Sequence, residues 1–434
     1  MFFLFLFISQ IIFSQEQQKK WDLATCIKYA MEQNIQIKKS KIAFDESKED
    51  TKTARAAMFP SLSFSSSHNL VTTPLNNTGT GNRSSYNGNY GLNSSLTVYD
   101  GGKRTKAITQ SGIQERIQEL AIDQAENNIQ IAITQNYIQI LYAYESVKTN
   151  QSTVDVSLAQ LNRAKEMLKA GSISKADLAQ LESQYSTDKY QLVLSETTLN
   201  DYKLQLKQLL ELDGNEEMDL VLPELDNNSA LLPLPNKMQV YSTALAIMPE
   251  IESSKLSTKT ANLNVNIAKA GYMPTLSLSA GIGTSHTTGT DFTFGEQVKN
   301  GWNNSIGLSI SVPIFNNRQT KSAVQKAKLK VLTSELSELD EQKTLFKTIE
   351  TIYLDAVSSQ TKFKAAKEKL QSTQTSYELV SEQFNLGMKN TVEILTEKNN
   401  LLSAQQEVLQ AKYMTILNTK LLNFYQGEEL SLNN

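Results

Sequence analysis

The sequence has one cysteine, Cys26, in 434 residues, so no disulfide framework can form within the chain. It has two histidines, His68 and His286, and no His-Glu or Cys-Cys ligand spacing. A metal centre or an activated nucleophile lacks its parts, so no catalytic residue and no cofactor is expected. An excess of charge of one sign is also missing: 42 basic residues against 45 acidic ones leave a net charge of -3. With no basic face, nucleic acid is not an expected partner. The glycines around Gly281-Ile282-Gly283 lie in an alternating run rather than before a helix, which excludes a nucleotide-binding turn. Long apolar runs are confined to Met1 to Phe13, which Glu16 to Lys20 ends abruptly. That stretch is short of the roughly 20 residues of a membrane-spanning helix and suits a secretory signal over residues 1–15, although it has no basic start.

With only 8 prolines and 18 glycines, little breaks a helix, and the long apolar repeats confirm the opportunity is used. Ile133, Ile140, Val147, Val154, Leu161 and Leu168 recur every seventh position, stop at Ala170-Gly171-Ser172, and resume at Leu178, Tyr185, Leu192, Leu199 and Leu206. A seven-residue repeat that keeps phase predicts helices packed side by side. The glycine between the two runs predicts the turn of a helical hairpin, about 104–212. Tyr137, Tyr144, Tyr185 and Tyr377 lie on or near this seam and read as packing residues.

Before the hairpin, Trp21 to Met58 reads as one helix with Leu23, Ile27, Ala30, Ile35, Ile42 and Ala43 at helical spacing. Cys26 shares the face of Leu23, Ile27 and Ala30, so a small buried residue is expected there rather than a lipid-attachment site. Beyond Pro60 the period changes to two, predicting strands at about 61–72 and 90–99 with a polar loop over Thr72 to Asn89. Residues 213–235, with Pro223, Pro233 and Pro235, read as a linker.

From about Asn236 the pattern repeats. Ala244 to Ile251 matches Ala30 to Ile37 at an offset of 214, and Ala270-Gly271-Tyr272-Met273-Pro274 matches Ala56 to Pro60 at the same offset. Farther on the offset is 216: Ile349, Ala356, Phe363, Leu370, Tyr377 and Phe384 follow the first heptad series, and Gly387 follows Gly171. This is an internal duplication. It gives a first repeat over 16–212 and a second over 236–434, the latter with strands at about 275–284 and 304–315 and a hairpin at about 320–427. A polar stretch, Thr284 to Asn303, separates those strands and carries Phe292, Phe294 and Trp302, residue types suited to a membrane interface.

Each strand presents apolar residues on one face and Ser, Thr, Gly or Asn on the other, the pattern of a barrel wall between lipid and a wet lumen. Four strands fall short of the roughly eight that a barrel needs, so the barrel must be shared, with eight strands in a dimer or twelve in a trimer. The expected fold is mainly α with a transmembrane β-barrel contribution. An exported coiled-coil scaffold or adaptor without a pore explains the heptads equally well, but not two strand pairs at duplicated positions.

The signal segment, the duplicated helix, strand, strand and long hairpin, the Pro60 and Pro274 junctions and the Tyr99-Asp100-Gly101-Gly102 turn together resemble the TolC family of outer-membrane efflux proteins. The resemblance implies a homotrimer with a twelve-stranded barrel in the outer-membrane lipid of a Gram-negative bacterium. It also implies a twelve-helix tunnel in the periplasm, docked to a periplasmic adaptor protein and an inner-membrane pump. It places adaptor docking at Gly171, Ser172 and Ser174 and at Gly387, Met388 and Asn390. It pairs Lys389 with Asp177 on a neighbouring hairpin to hold the tunnel closed, and sets Glu393 in a ring of carboxylates at the periplasmic aperture. Phe384 stands where a relative uses a tyrosine hydroxyl, and Thr396 where it has a second aperture carboxylate, with Glu397 placed to replace part of that charge. No Met or His cluster marks copper or silver as cargo.

Overall fold

The computed structural model describes residues 20–74, 82–215, 217–223, 225–226 and 231–432. The expected signal segment at 1–15 lies outside the described residues. The chain forms two units: one holds the residues up to Lys39, Asp123–Met248 and the residues from Lys343 onward, the other Ser40–Ile122 and Pro249–Gln342.

In the first unit a short strand β1 (Lys20–Trp21) leads into helix α1 (Leu23–Gln33), whose first turn is capped by Asp22, its carboxylate accepting from the Thr25 amide at 2.7 Å. The bond holds the Asp22 carboxyl below its ordinary value, as a cap to an ionised acid should. The single helix expected over Trp21 to Met58 is instead two, because α2 (Ile35–Ala56) starts afresh after Asn34. Asn34 takes ψ 130, its side-chain oxygen accepts from the Gln36 amide at 2.8 Å, and its amide nitrogen donates to the Leu209 carbonyl at 2.9 Å. An asparagine that satisfies an adjacent helix start leaves apolar periodicity intact on both sides, which is why the break is invisible to a hydrophobic pattern.

The hairpin of the first repeat consists of α3 (Lys103–Lys169) and α4 (Lys175–Leu209). At 67 residues and about 1.5 Å per residue, α3 is about 100 Å long. The core of this unit joins Leu23, Cys26, Ala30 and Ile37 to Ile133, Tyr137, Ile140, Leu206, Leu210 and Phe363. Cys26 is fully buried there. The stretch expected as a linker contributes strand β4 (Asp219–Leu220), which pairs in parallel with β1. Tyr137 fastens that pair, its hydroxyl donating to the carbonyls of Val221 and Trp21.

The second repeat supplies α5 (Lys237–Ile247) and α6 (Pro249–Ala270), then α8 (Gln319–Asn385) and α9 (Thr391–Tyr425). α1 and α5 have 11 residues each, α2 and α6 have 22, α3 and α8 have 67, and α4 and α9 have 35. The break at Asn34 recurs at Met248, but there Pro249 makes it, fixing its own φ at the first helical position and keeping the residue before it extended.

The second unit carries a four-stranded antiparallel sheet in the order β2 (Ser61–Pro74), β3 (Asn82–Tyr99), β5 (Thr275–Thr287) and β6 (Asn303–Ser311). The expected loop over Thr72 to Asn89 is mostly strand: pairing continues to Pro74 opposite Asn82, and residues 75–81 lie outside the described residues. Backbone hydrogen bonds hold this ribbon, so its alternation needs no aliphatic residues. The second polar stretch is shorter than expected too, since β5 runs to Thr287 and helix α7 (Phe294–Asn300) follows, started by a capping box of Thr293 and Glu296. β6 stops at Ser311 rather than near residue 315, because Pro313 has no N–H to give the ladder.

Register places Ser63, Asn93, Gly281 and Ser305 in one row, while Leu62, Phe64, Leu92, Leu278, Ile306, Leu308 and Ile310 belong to the opposite face and are exposed. Both histidines sit on that apolar face: His68 bonds to the Tyr86 hydroxyl at 2.7 Å, and His286 stacks on Tyr90. Gly88 gives the His286 ring room, since a Cβ there would stand 2.3 Å from it and force the ring to shift. No helix among the described residues is long and apolar enough to cross a membrane.

Replacing Asn34 by alanine removes the α2 cap and leaves the Leu209 carbonyl without its donor. The expected loss is about 1–3 kcal/mol, measured as a lower unfolding temperature by circular dichroism in detergent; an unchanged midpoint would contradict this role.

Candidate functional site

The two hairpin turns are built by the same backbone chemistry. α3 ends at Lys169, Gly171 takes φ 72, and the Ser172 amide donates to the Met167 carbonyl at 2.9 Å. α8 ends at Asn385, Gly387 takes φ 74, and the Met388 amide donates to the Gln383 carbonyl at 2.8 Å. Each is a glycine-ended helix in which the left-handed residue returns the chain and satisfies the last carbonyls.

The next helices start at once with reciprocal caps. Ser174 Oγ accepts from the Asp177 amide at 3.1 Å, while Asp177 accepts from the Ser174 amide at 3.1 Å and from the Ser174 hydroxyl at 2.6 Å. Asn390 Oδ1 accepts from the Glu393 amide at 3.0 Å, and Glu393 accepts in return from the Asn390 amide at 3.0 Å. The Lys389 ammonium then donates to the other oxygen of Glu393 at 2.5 Å.

The expected contact between Lys389 and Asp177 is therefore not made within one chain. Lys389 is held four residues along its own chain by Glu393, and Asp177 is held by Ser174 and by the hydroxyl of Thr391. Within the chain these partners are already positioned by each residue's own helix start. Ser174 and Thr391 hold the Asp177 carboxyl below its ordinary value, and Lys389 and the Asn390 amide do the same for Glu393.

The remaining residues divide clearly. Phe384 is buried and brings no hydroxyl to the tip. Thr396 is exposed and turns its hydroxyl onto the Val392 carbonyl at 2.8 Å, and Glu397 is half-buried one residue farther along. Around the second turn Leu386, Met388 and Val392 are exposed apolar side chains, with Leu386 at 75 % and Met388 at 70 %. Gly171, Ser172 and Ser174 at the first turn are exposed and small.

A second polar group, which hydrophobic periodicity passed over, lies farther up the helices. Lys398 of α9 donates to Asp188 of α4 and to Ser157 of α3, and all three are buried, Lys398 and Asp188 each 4 % exposed. The Ser157 hydroxyl also donates to Asp188, whose other oxygen accepts from Gln184 at 2.9 Å. Burial pulls the Lys398 ammonium below its ordinary value, and Asp188 opposes that shift. The signal for it was present: Asp188 stands seven residues after Leu181 and seven before Ser195, a charge on a packed seam.

Two glycine-turned hairpins, duplicated together with a four-stranded sheet that is apolar on one face and hydroxyl-rich on the other, have the make-up of a membrane-channel subunit. The family model of the outer membrane efflux protein matches residues 26–211 and 240–425, one match per repeat. The chain belongs to the outer membrane efflux protein family. It is 22% identical over 407 residues to the outer membrane protein TolC of Escherichia coli, covering 89% of this chain and 78% of that protein. It is also 22% identical over 421 residues to the probable efflux pump outer membrane protein TtgC of Pseudomonas putida, covering 93% of this chain and 82% of TtgC. Among solved structures, that of CusC superposes with a TM-score of 0.81 at 18% identity over 96% of each chain. The chain is an outer-membrane exit duct for efflux or secretion, with its helical hairpins in the periplasm.

Because both capping carboxyls titrate below their free values, the stability they contribute is complete above the unfolded value of about 4 and is lost as pH falls through the lower folded values. Lowering pH from 7 to 5 is thus expected to leave both caps intact. Hydrogen exchange of the tip peptides, corrected for intrinsic rate, checks this. Protection should persist at pH 5 but fall in Ser174→Ala and Asn390→Ala, each cap contributing about 0.5–2 kcal/mol.

Proposed function

We propose that three copies of this chain close a twelve-stranded barrel, and that the hairpin tips form both the closed end of the duct and the surface a periplasmic adaptor grips. The observation that carries this reading is the sheet. Its edge strands β2 and β6 have no further strand beyond them among the described residues, and its apolar face is exposed. In lipid every backbone polar group must find a partner, so such a sheet needs strands from neighbouring copies on both edges. The helices carry a matching requirement: Leu329, Leu332, Leu336 and Leu339 of α8 are exposed at alternating three- and four-residue spacing, a seam that takes a helix of a neighbouring copy. The exposed row of Ser, Asn and Gly faces the lumen, and passage through it consumes no energy in this subunit. An inner-membrane pump working through the adaptor supplies the work.

At the tips Leu386, Met388 and Val392 offer the apolar contact that an adaptor needs, and Gly171, Ser172, Ser174, Gly387 and Asn390 allow close approach. Glu393, one oxygen of which is taken by Lys389, contributes a carboxylate per copy to the aperture, with Glu397 behind it; a ring of carboxylates favours cations. A pore-free periplasmic scaffold accounts for the hairpins but leaves the exposed apolar sheet face without a purpose.

Outer-membrane fractionation with a heat-modifiable trimer on gels tests the assembly, and recovery as a soluble protein in osmotic-shock fluid would overturn it. For the aperture, Lys389→Glu removes the partner of Glu393 and shifts the charge by two negative units at each copy. It is expected to raise closed-state conductance in planar bilayers several-fold, and conductance equal to wild type would sink the assigned role of Lys389.

A further inference from the structure

The first hairpin meets the second through both apolar and polar contacts. Inside the first hairpin Leu161, Ala164 and Leu181 pack with Ile173, Leu178 and Tyr185, and Leu395 of α9 joins this cluster from the second hairpin. Between the hairpins, from Ser146 to the tips, hydrogen bonds run beside these apolar contacts. Ser146 and Asn150 bond to Gln406 at 2.9 and 3.4 Å, Gln160 to the Tyr377 hydroxyl at 3.0 Å, Gln184 to Asn399 at 3.2 Å, and Arg163 to the Asn385 carbonyl at 3.3 Å. Such bonds exchange with water at small net cost, so a hairpin held this way can separate from its neighbour while staying intact itself.

One contact on this seam cannot be exchanged so easily. Lys398 and Asp188 are both withdrawn from water, and each has the other as its charged partner, with Ser157 and Gln184 completing the shell. Removing one member leaves the other charge buried and unpaired, whereas replacing both with apolar residues of similar size is tolerated or favourable. The group lies seven residues, about two helical turns, beyond the start of α9 at Thr391, away from the capped tip of Lys389 and Glu393.

We propose that Lys398, Asp188 and Ser157 form a buried latch between the first hairpin and α9, which holds the lower helices in the closed arrangement independently of the tips. The three are positioning residues: they touch no cargo and act by fixing α9 against α3 and α4. This inference rests on the channel reading. Separation of the hairpins lets water reach both charges, after which the pair contributes little, so the latch resists the first displacement and not the later ones.

Closed-state conductance of the full-length purified trimer in planar bilayers tests it. Lys398→Met and Asp188→Asn are each expected to raise conductance at least several-fold. The exchanged pair Asp188→Lys with Lys398→Asp should return toward wild type, and Asp188→Leu with Lys398→Met should stay closed. Single variants that migrate as trimers and conduct like wild type overturn the latch. If the single variants do not assemble, a second arm decides. In a Cys26→Ala background, Gln184→Cys and Asn399→Cys are bridged with a short bis-thiosulfonate in the leaky Lys389→Glu protein. Bridging should lower conductance and reduction should restore it; equal conductance in both states overturns the proposal. Wild-type trimers that form no channel under any condition overturn the channel reading instead, which separates the two failures.

Discussion

A β-sheet placed in lipid has no water with which to satisfy its edges, and the organisation of this chain depends on that constraint. β2 and β6 each leave an edge, and the face bearing Phe64, Leu92, Leu308 and Ile310 is exposed. Neither feature is sustainable in a lone chain. The hydroxyl- and amide-rich opposite face is equally unsuited to an apolar core, since its Ser, Asn and Gly residues find few partners beyond their cross-strand neighbours. A sheet with one face for lipid and one for water, closed by copies of itself, resolves all of these at once.

Duplication gives such a chain two hairpins from one plan, and the two copies reach the same geometry with different residues. Where the first repeat turns from strand to helix at Gly101 and Gly102 with φ 70 and 78, the second uses Asn317 and Arg318 with φ 50 and 64. Left-handed backbone is strained for an arginine, so the turn must be fixed by what surrounds it rather than by local preference. In the first copy, Arg104 bonds to Asp100 and to the Ala57 carbonyl, and the second copy has its own tie from Thr320 to the Gly271 carbonyl. The breaks at Asn34 and before Pro249 make the same point: backbone geometry is retained while the side-chain device that enforces it changes.

What could be read from the sequence follows from which physical signal each feature leaves. The heptads, the glycine turns and the duplication are written in apolar spacing, so the hairpins and their tips were legible. The outer halves of β2 and β3 were not, because Asn, Ser and Gly in a hydrogen-bonded ribbon look like a loop when only apolar alternation is scored. The helix break at Asn34 was hidden for the converse reason, lying within an unbroken helical pattern, while Pro249 announced its counterpart openly. At the tip, the family resemblance pointed to a link between Lys389 and Asp177, whereas within the chain each has a local partner. The spacing of four between Lys389 and Glu393 already favoured the local pair.

Hydrophobic periodicity also leaves out the group at Lys398, and the omission has a physical cause. A coiled-coil reading treats a seam as uniformly apolar and regards Asp188 as a flaw in it. In the folded chain the seam between hairpins mixes apolar contacts, such as Leu395 on the Leu161 cluster, with polar ones, such as Ser146 to Gln406. A fully apolar joint between hairpins would be harder to open, and a fully solvated one would not stay shut. A seam of apolar contacts and neutral hydrogen bonds with one buried ion pair lies between those limits. It gives the closed state a definite geometry because both charges must meet in one arrangement, yet it loses most of its hold once water enters. A buried charge pair in a seam that is otherwise packed or neutrally bonded is thus what restricts the two hairpins to one arrangement.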